Sequence, residues 1–245
     1  MNLRSLLIFL ALAGTLTCIG CRNPPGRPEA GDEAKRPDQV LDFPTLYSQN
    51  CSACHGEHGR DGAAISLANP IYLSYAGLTK IEQITADGVP GTMMPPFSKH
   101  SGGMLTDRQI EVIAQGMLEQ WDKNGTVAGQ QTIPYTSSLK GNAERGQKAF
   151  ASYCSSCHGA DGGGAKAGQI QVGSIVDPAY LALVSDQGLR SIIIAGQPDQ
   201  GMPGWNSYSK GNASPALSDQ DVTDIVAWLG EHRSATPGQP YLKPQ

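Results

Sequence analysis

Two short cysteine motifs carry the clearest chemistry in the sequence. Of the six Cys, four form two Cys-x-x-Cys pairs, and a His follows each pair directly. Cysteines three residues apart lie on one face of a helical turn, so both thiols can bond to one porphyrin while the adjacent His binds its iron. The pattern is typical of covalent haem attachment. It predicts two covalently bound haem c groups, one held by Cys51, Cys54 and His55 and the other by Cys154, Cys157 and His158.

Other uses of these cysteines fit less well. A structural zinc site needs four ligands close together, and each motif offers three. A thioredoxin-type redox motif lies near a βαβ pattern, which the sequence lacks. Disulfides are common in exported proteins, but the His that follows both pairs favours haem.

The sequence around the two motifs repeats. When the motifs are overlaid, Tyr47 aligns with Phe150 and Gly56 with Gly159. The match resumes further along the chain after small insertions, as expected for an internal repeat. The later matched pairs are Asn69 and Asp177, Gly88 and Gly196, Met94 and Met202, Pro95 and Pro203, and Phe97 and Trp205.

On these motifs, the chain resembles a class I cytochrome c present twice, over residues 43–122 and 142–233. The resemblance implies an all-α fold of two tandem domains, each wrapped round one haem. It also implies that a Met in a later loop is the second iron ligand, and that a C-terminal helix packs on the N-terminal one. The stretch around Met202 is further similar to cytochrome c subunits of high-affinity haem-copper oxidases and of membrane dehydrogenases.

The repeat selects the methionines. Met202-Pro203 aligns with Met94-Pro95, so Met94 and Met202 are the predicted distal ligands. The Pro after each Met restricts that Met to an extended conformation. In the first repeat, Met93 and His100 are the alternative ligands.

Capping residues mark the expected helices. Asn142 is placed to cap a helix that runs into Cys154, and Asp177 precedes a Pro at the first helical position. Thr106 and Ser218 are placed to cap the helix that ends each repeat. No strand pattern is found. With 30 Gly, 17 Pro and 6% aromatic residues, large side chains are few, and we expect each core to be built on a porphyrin.

The regions outside the repeats are expected to be a leader and connections. Residues 1–21 resemble a lipoprotein-type signal peptide with Cys21 as the lipidated residue; plain cleavage or an uncleaved anchor is the alternative. Residues 22–42 are Pro-rich and charged, as in a flexible tether. Residues 123–141 are the predicted linker and residues 234–245 the tail.

The predicted function is one-electron transfer. An iron bound by His and Met has no open position, so the chain is expected to act as an electron carrier or respiratory-complex subunit and not as an enzyme. The expected partners are a redox donor and acceptor (an oxidase, a dehydrogenase or a quinol-oxidising complex), with a lipid anchor at the periplasmic side of a bacterial membrane. A net charge of −4 argues against nucleic acid. The alternatives are a dihaem peroxidase or thiol-oxidising enzyme with one open haem, and a haem-based sensor.

Overall fold

The computed structural model describes residue 26 and residues 34–123, 125–127, 132–205 and 216–234. Both repeats lie in one compact unit that begins at Val40, and the unit that ends at Gln39 contains a 3-10 turn at Pro37–Gln39. The predicted signal peptide with Cys21, most of the tether and nearly all of the tail fall outside the described residues. Within the described ranges, we find no helix with the length and apolar character needed to cross a membrane.

The first repeat is helical. Thr106 begins its last helix with a capping box, in which the Thr106 hydroxyl accepts from the Gln109 backbone N–H and the Gln109 side chain accepts from the Thr106 backbone N–H. The third helix is interrupted at Gly77, whose φ is 71°. The helices are α1 (Phe43–Asn50), α2 (Ser52–His55), α3 (Pro70–Asp87) and α4 (Asp107–Trp121).

The second repeat follows the same order. The predicted caps are confirmed. The Asn142 side chain accepts from the Arg145 N–H, and the Asp177 side chain accepts from the N–H groups of Ala179 and Tyr180. Ser218 forms a capping box. Two short helices stand where the first repeat has the two halves of α3. The helices are α5 (Ala143–Tyr153), α6 (Ser155–His158), α7 (Pro178–Leu183), α8 (Asp186–Ala195) and α9 (Asp219–Gly230).

An aromatic pair marks the contact between the first and last helices of each repeat. Helix α1 packs on α4, and α5 packs on α9. The Tyr47 and Trp121 rings meet edge to face at 5.2 Å between centroids, and the Phe150 and Trp228 rings lie at 4.4 Å with a smaller tilt. The helix contact expected from the resemblance is therefore present in both repeats.

A small β-hairpin corrects the expectation of a purely α-helical chain. Strands β1 (Ala165–Ala167) and β2 (Ile170–Val172) pair antiparallel across a two-residue turn. The hairpin follows the second cysteine motif, at the place where the second repeat is longer than the first. Three residues per strand are too few for a clear alternation of polar and apolar residues, so the sequence pattern missed them.

The two repeats contact each other through the end of the predicted linker. The Tyr75 hydroxyl of α3 donates to the Tyr135 carbonyl at 2.9 Å. From the other side, Arg190 of α8 donates to the Pro134 carbonyl at 2.7 Å and to the Asp219 carboxylate at 2.6 Å. Arg190 is 5% exposed. Residues 134–135 are therefore held by side chains of both repeats.

Asn69 makes a second contact between the repeats. Its side-chain oxygen accepts from the Ile71 and Tyr72 N–H groups at the start of α3. Its amide nitrogen donates to the carbonyl of Gly196 at 2.9 Å, and Asn69 is buried. One side chain thus caps a helix of the first repeat and binds the backbone at the end of α8 in the second.

Candidate haem-binding sites

Each cysteine motif occupies one turn of helix. In the first repeat, the N–H groups of Cys54 and His55 both donate to the Cys51 carbonyl, at 3.2 and 3.0 Å. In the second repeat, Cys157 and His158 donate to the Cys154 carbonyl at 3.1 and 3.0 Å. The backbone therefore places both thiols of a motif one turn apart, as attachment to a single porphyrin requires.

The two thiols of each motif differ in exposure. Cys51 and Cys154 are half-buried, whereas Cys54 and Cys157 are exposed. Burial, together with the neighbouring cysteine of the motif, raises the pKa of Cys51 and of Cys154 to about 12. At neutral pH these two side chains are therefore protonated.

His55 is oriented by a backbone carbonyl. The side chain is 8% exposed, and its Nδ1 lies 2.8 Å from the Ile65 carbonyl oxygen. Because a carbonyl can only accept, Nδ1 must carry the proton, which leaves the Nε2 lone pair free for a metal. Burial lowers the pKa of His55, with the hydrogen bond opposing it, so the neutral imidazole is favoured.

His158 has no such partner among the described residues. Its Nδ1 is buried without a hydrogen bond, and burial lowers its pKa. The indole Nε1 of Trp205, three residues after Met202, is likewise buried and unpaired. Buried polar groups are almost always paired, so these two atoms need partners that the described residues do not supply. The thiol pair, the neutral imidazole and these unpaired atoms fit a covalently bound haem.

The two methionine loops share a backbone hydrogen bond. The carbonyl of Met94 accepts from the Val89 N–H at 3.1 Å, and that of Met202 accepts from the Gln197 N–H at 2.9 Å. Both methionines are half-buried. The residues that align in these two loops therefore share a hydrogen bond as well as residue types.

A glycine lies under each methionine loop. Gly88 and Gly196 have φ of 68° and 67°, a region that side chains disfavour. A Cβ built on Gly88 would lie 2.6 Å from the Pro95 carbonyl carbon and 2.7 Å from the Met94 oxygen. On Gly196, it would lie 2.7 Å from the Met202 oxygen. Each loop thus rests directly against a glycine backbone.

The alternative ligands of the first repeat point elsewhere. Met93 is 81% exposed. His100 is exposed, with its Nε2 3.6 Å from the Asp107 carboxylate. Of the three candidate ligands in the first repeat, only Met94 is half-buried. The roles of Met94 and Met202 as iron ligands stay predictions.

Sequence reasoning missed two contributions to the sites. The Ile65 carbonyl that orients His55 belongs to the backbone, so its residue type carries no signal. The buried Arg190 between the repeats had a weak signal, because it is a cation among the apolar residues of α8.

Comparison with known families assigns the class. Residues 143–233 match the family model described as cytochrome c. Residues 38–115 match the model described as cytochrome C oxidase, cbb3-type, subunit III. The chain is therefore a c-type cytochrome, a haem protein of electron transport, and such domains carry covalently bound haem c.

The chain is similar in sequence to two known proteins. It is 28% identical over 195 residues to the Cbb3-type cytochrome c oxidase subunit FixP of Sinorhizobium medicae (strain WSM419), covering 76% of this chain and 57% of that protein. It is also 28% identical over 195 residues to Thiosulfate dehydrogenase of Stutzerimonas stutzeri (strain A1501), covering 75% of this chain and 59% of that protein. The chain thus resembles oxidase and dehydrogenase subunits, and spans under 60% of these relatives' lengths.

One solved structure matches over much of the chain. It is described as the Kuenenia stuttgartiensis reducing HAO-like protein complex Kustc0457/Kustc0458, with a TM-score of 0.45 and 16% identity. The match covers 82% of this chain and 100% of the other.

Proposed function

We propose that the chain is a dihaem cytochrome c that transfers single electrons between a redox donor and an acceptor. The observation that supports it is the duplicated arrangement of a cysteine motif on a helical turn followed by a Met-Pro loop seated on glycine. When bound, a haem with two protein ligands on its iron supplies exchange of one electron between two iron states. The duplication gives the chain two such sites.

The protein residues have separate roles in each site. The cysteine pairs at 51 and 54 and at 154 and 157 hold the porphyrin by thioether bonds. His55 and His158 are the proximal ligands, and the Ile65 carbonyl fixes the ring of His55. Met94 and Met202 close the other side of the iron, so that oxygen and peroxide find no free position.

The exposed cysteines indicate where partners dock. Cys54 and Cys157 are exposed, so a porphyrin edge bonded to them would lie near the surface. Electrons can then enter or leave by brief contacts, for which small interfaces suffice. The oxidase family model and the FixP relative support an oxidase as the partner, and a dehydrogenase or a quinol-oxidising complex is the other proposed partner.

We place the protein on the periplasmic side of a bacterial membrane. The support is the signal-like sequence of residues 1–21, with Cys21 as the lipidated residue, and the Pro-rich tether that follows. Mass spectrometry of the mature N-terminus tests this part. Diacylation of Cys21 is expected, and an unmodified N-terminus further along the chain would contradict it.

Absorption spectra of the exported holoprotein test the haem proposal. We expect two haems per chain and no change of the reduced spectrum with carbon monoxide, because both irons are closed. A spectral change in half or all of the haem would mean an open iron. One haem per chain would remove the dihaem proposal.

Methionine variants sharpen that test. Met202→Ala should leave the second haem attached but let carbon monoxide bind to it, and Met94→Ala should do the same in the first repeat. Met93→Ala is the matched control, because the Met93 side chain is 81% exposed. If Met93→Ala opened the iron and Met94→Ala did not, the ligand assignment in the first repeat would be reversed.

A second candidate function is enzymatic. The relative named Thiosulfate dehydrogenase favours it, and it would require one haem with a free or exchangeable position. Oxidised protein mixed with thiosulfate distinguishes the two. Reduction of the haem absorption at a rate that saturates with thiosulfate supports the enzyme, and an unchanged oxidised spectrum supports the carrier.

A further inference from the structure

The loop that carries Met202 is closed by a reciprocal pair of backbone hydrogen bonds. The Gln197 N–H donates to the Met202 carbonyl at 2.9 Å, and the Met202 N–H donates to the Gln197 carbonyl at 3.1 Å. The loop begins at Gly196, the residue that ends α8 with a φ of 67°. Because Met202 is bonded in this way to Gln197, a contact that fixes residues 196–197 also fixes the backbone of Met202.

The contact that fixes the start of this loop comes from the first repeat. Asn69 Nδ2 lies 2.9 Å from the Gly196 carbonyl oxygen and 3.4 Å from that of Ala195. Asn69 is 6% exposed and Ala195 is 1% exposed. Carbonyls at the end of a helix lack partners within that helix. Asn69 therefore supplies, from the other repeat, a donor for the carbonyls from which the Met202 loop begins.

Asn69 is itself held on both sides. Its Oδ1 accepts from two N–H groups at the start of α3, so its amide nitrogen is the atom that faces the second repeat. On the preceding side, the Ala68 N–H donates to the Gly59 carbonyl at 2.9 Å. A little earlier in the same segment, the Ile65 carbonyl orients His55. Asn69 thus extends from a segment that is already fixed at the first cysteine motif.

A second contact from the first repeat reaches the same loop. Arg60 Nη1 lies 3.4 Å from the Asp199 carboxylate, in the 3-10 turn Pro198–Gln200 that precedes Met202. The two side chains are 43% and 54% exposed, and exposed ion pairs contribute little. Asn69 is therefore the contact from which we expect the larger effect.

Resting on the proposed function, in which Met202 binds the iron of the second haem, we propose that Asn69 is a positioning residue for that bond. The Asn69 amide fixes Gly196, and the paired hydrogen bonds between Gln197 and Met202 carry this constraint to the methionine. The distal ligand of the second haem therefore depends on a side chain of the first repeat.

The matching position of the second repeat cannot act in the same way. Asp177 aligns with Asn69 and caps α7 through the N–H groups of Ala179 and Tyr180. It is exposed, and an ionised carboxylate has no N–H to donate. Of this aligned pair, only Asn69 can donate to the methionine loop of the other repeat. The effect is therefore expected to run from the first repeat to the second.

The test is Asn69→Ser in the full-length holoprotein. Serine still caps a helix, but it has no amide nitrogen to donate to Gly196. The long-wavelength band of the iron–methionine bond should lose intensity in the oxidised protein, and carbon monoxide should bind to the reduced one. Asp177→Ser is the matched control, because it makes the same change of cap in the second repeat and should alter neither spectrum.

A double variant identifies which haem is affected. Met202→Ala removes the proposed ligand, so adding Asn69→Ser to it should change neither the band nor the binding of carbon monoxide any further. A further loss in the double variant would mean that Asn69 acts on the first haem, and would overturn the proposal. A folded Asn69→Ser protein with an unchanged band and no binding of carbon monoxide would overturn it as well.

Hydrogen exchange keeps the proposal falsifiable if Asn69→Ser folds poorly. Coupling between two contacts is reciprocal, so breaking the iron–methionine bond should loosen the bond from Asn69. The side-chain N–H groups of Asn69 should exchange with solvent about fivefold or more faster in Met202→Ala than in the unaltered holoprotein. Equal exchange contradicts the proposal. If Met202→Ala itself left the band unchanged and bound no carbon monoxide, the proposed function would fail instead.

Discussion

The two repeats keep the same backbone framework but exchange side chains around it. In the first, Gly116 of α4 leaves room for the Phe43 ring, because a Cβ at Gly116 would lie 2.3 Å from that ring. In the second, Gly146 stands at the position of Phe43, and its Cβ would lie 2.0 Å from the Asp224 carbonyl of α9. The glycine that allows close contact is therefore in the last helix of the first repeat but in the first helix of the second. The contact between first and last helices is present in both repeats.

The differences gather around the haem-binding residues. His55 has a carbonyl partner, and His158 has none among the residues that the structure describes. The Tyr47 hydroxyl donates to the Gly56 carbonyl at 2.9 Å, and Phe150 has no hydroxyl. The comparison teaches that the geometry of the loops is held by backbone contacts, which leaves side chains free to make the two sites unequal.

The largest effect is expected where the repeats agree. Gly88→Ala and Gly196→Ala would each add a left-handed residue and a clash with the methionine loop, at a cost of about 2–5 kcal/mol. Gly77→Ala is the control, since φ is 71° there but no atom lies within 4 Å of the added Cβ. Chemical denaturation of the holoprotein measures stability, and the long-wavelength band of the iron–methionine bond reports ligation. Equal costs at the three positions would show that the loops do not rest on the glycines.

The contact between the repeats should come next. Asn69→Ala removes a helix cap, worth about 1 kcal/mol, and leaves a buried carbonyl of Gly196 unpaired, which costs about 1–3 kcal/mol more. Asp177→Ala removes the equivalent cap of the second repeat, where Asp177 is exposed, and should cost the cap alone. Urea unfolding of both variants gives the difference. Identical losses would mean that the bond across the repeats adds nothing.

The contact between the first and last helices should depend on acid pH in the second repeat but not in the first. The Asp224 carboxylate accepts from the Arg145 side chain at 2.7 Å and from the Asn142 N–H at 2.7 Å. Burial raises the pKa of Asp224, but these hydrogen bonds lower it by more than burial raises it. The pKa of Asp224 therefore lies below its usual value. The stabilisation is therefore complete above the ordinary Asp pKa and is lost as the pH falls through the lowered one. The first repeat has Val112 at the matching position.

Asp224→Asn should therefore remove part of the pH dependence of unfolding on the acid side of the ordinary Asp pKa. Thermal unfolding of the holoprotein over that range measures it. Glu144→Gln serves as the control, because this carboxylate is exposed and pairs with Lys148 on the surface. The same acid profile in Asp224→Asn and in the unaltered protein would refute the assignment.

The smallest effect should come from the hydroxyl that only one repeat has. Tyr47→Phe gives the first repeat the ring of the second and loses one hydrogen bond to Gly56, worth about 0.5–1.5 kcal/mol. Phe150→Tyr is the reverse exchange. Denaturation monitored by haem absorption should find the first change mildly destabilising. A stabilising Tyr47→Phe would mean that the bond to Gly56 is strained.

The parts of the fold that the sequence predicted are those set by local chemistry. Asn142, Asp177 and Ser218 cap helices as expected, because capping needs only a side-chain acceptor a few residues from the N–H groups it satisfies. In α9, the apolar residues at helical spacing, Val222, Ile225, Val226 and Leu229, are buried. The cysteine motifs and the paired methionine loops could be found because their spacing is itself the signal.

The parts that could not be predicted depend on residues far apart in the chain. The bond from Asn69 to Gly196 joins positions 127 residues apart, and Asn69 alone indicated only a helix cap. Tyr75 and Arg190 meet through carbonyls of residues 134 and 135, which any sequence would supply. Such contacts require the packing of α3 on α8 to be known first.

The fastening of residues 134–135 has a kinetic consequence. Side chains of both repeats bind this short segment. One of them is the buried Arg190, which also pairs with the Asp219 carboxylate. Under the proposed function, electron exchange between the repeats would not wait for two freely diffusing bodies to meet. We expect its rate to be independent of solvent viscosity, so that glycerol or sucrose slows docking of outside partners but leaves the internal step unchanged.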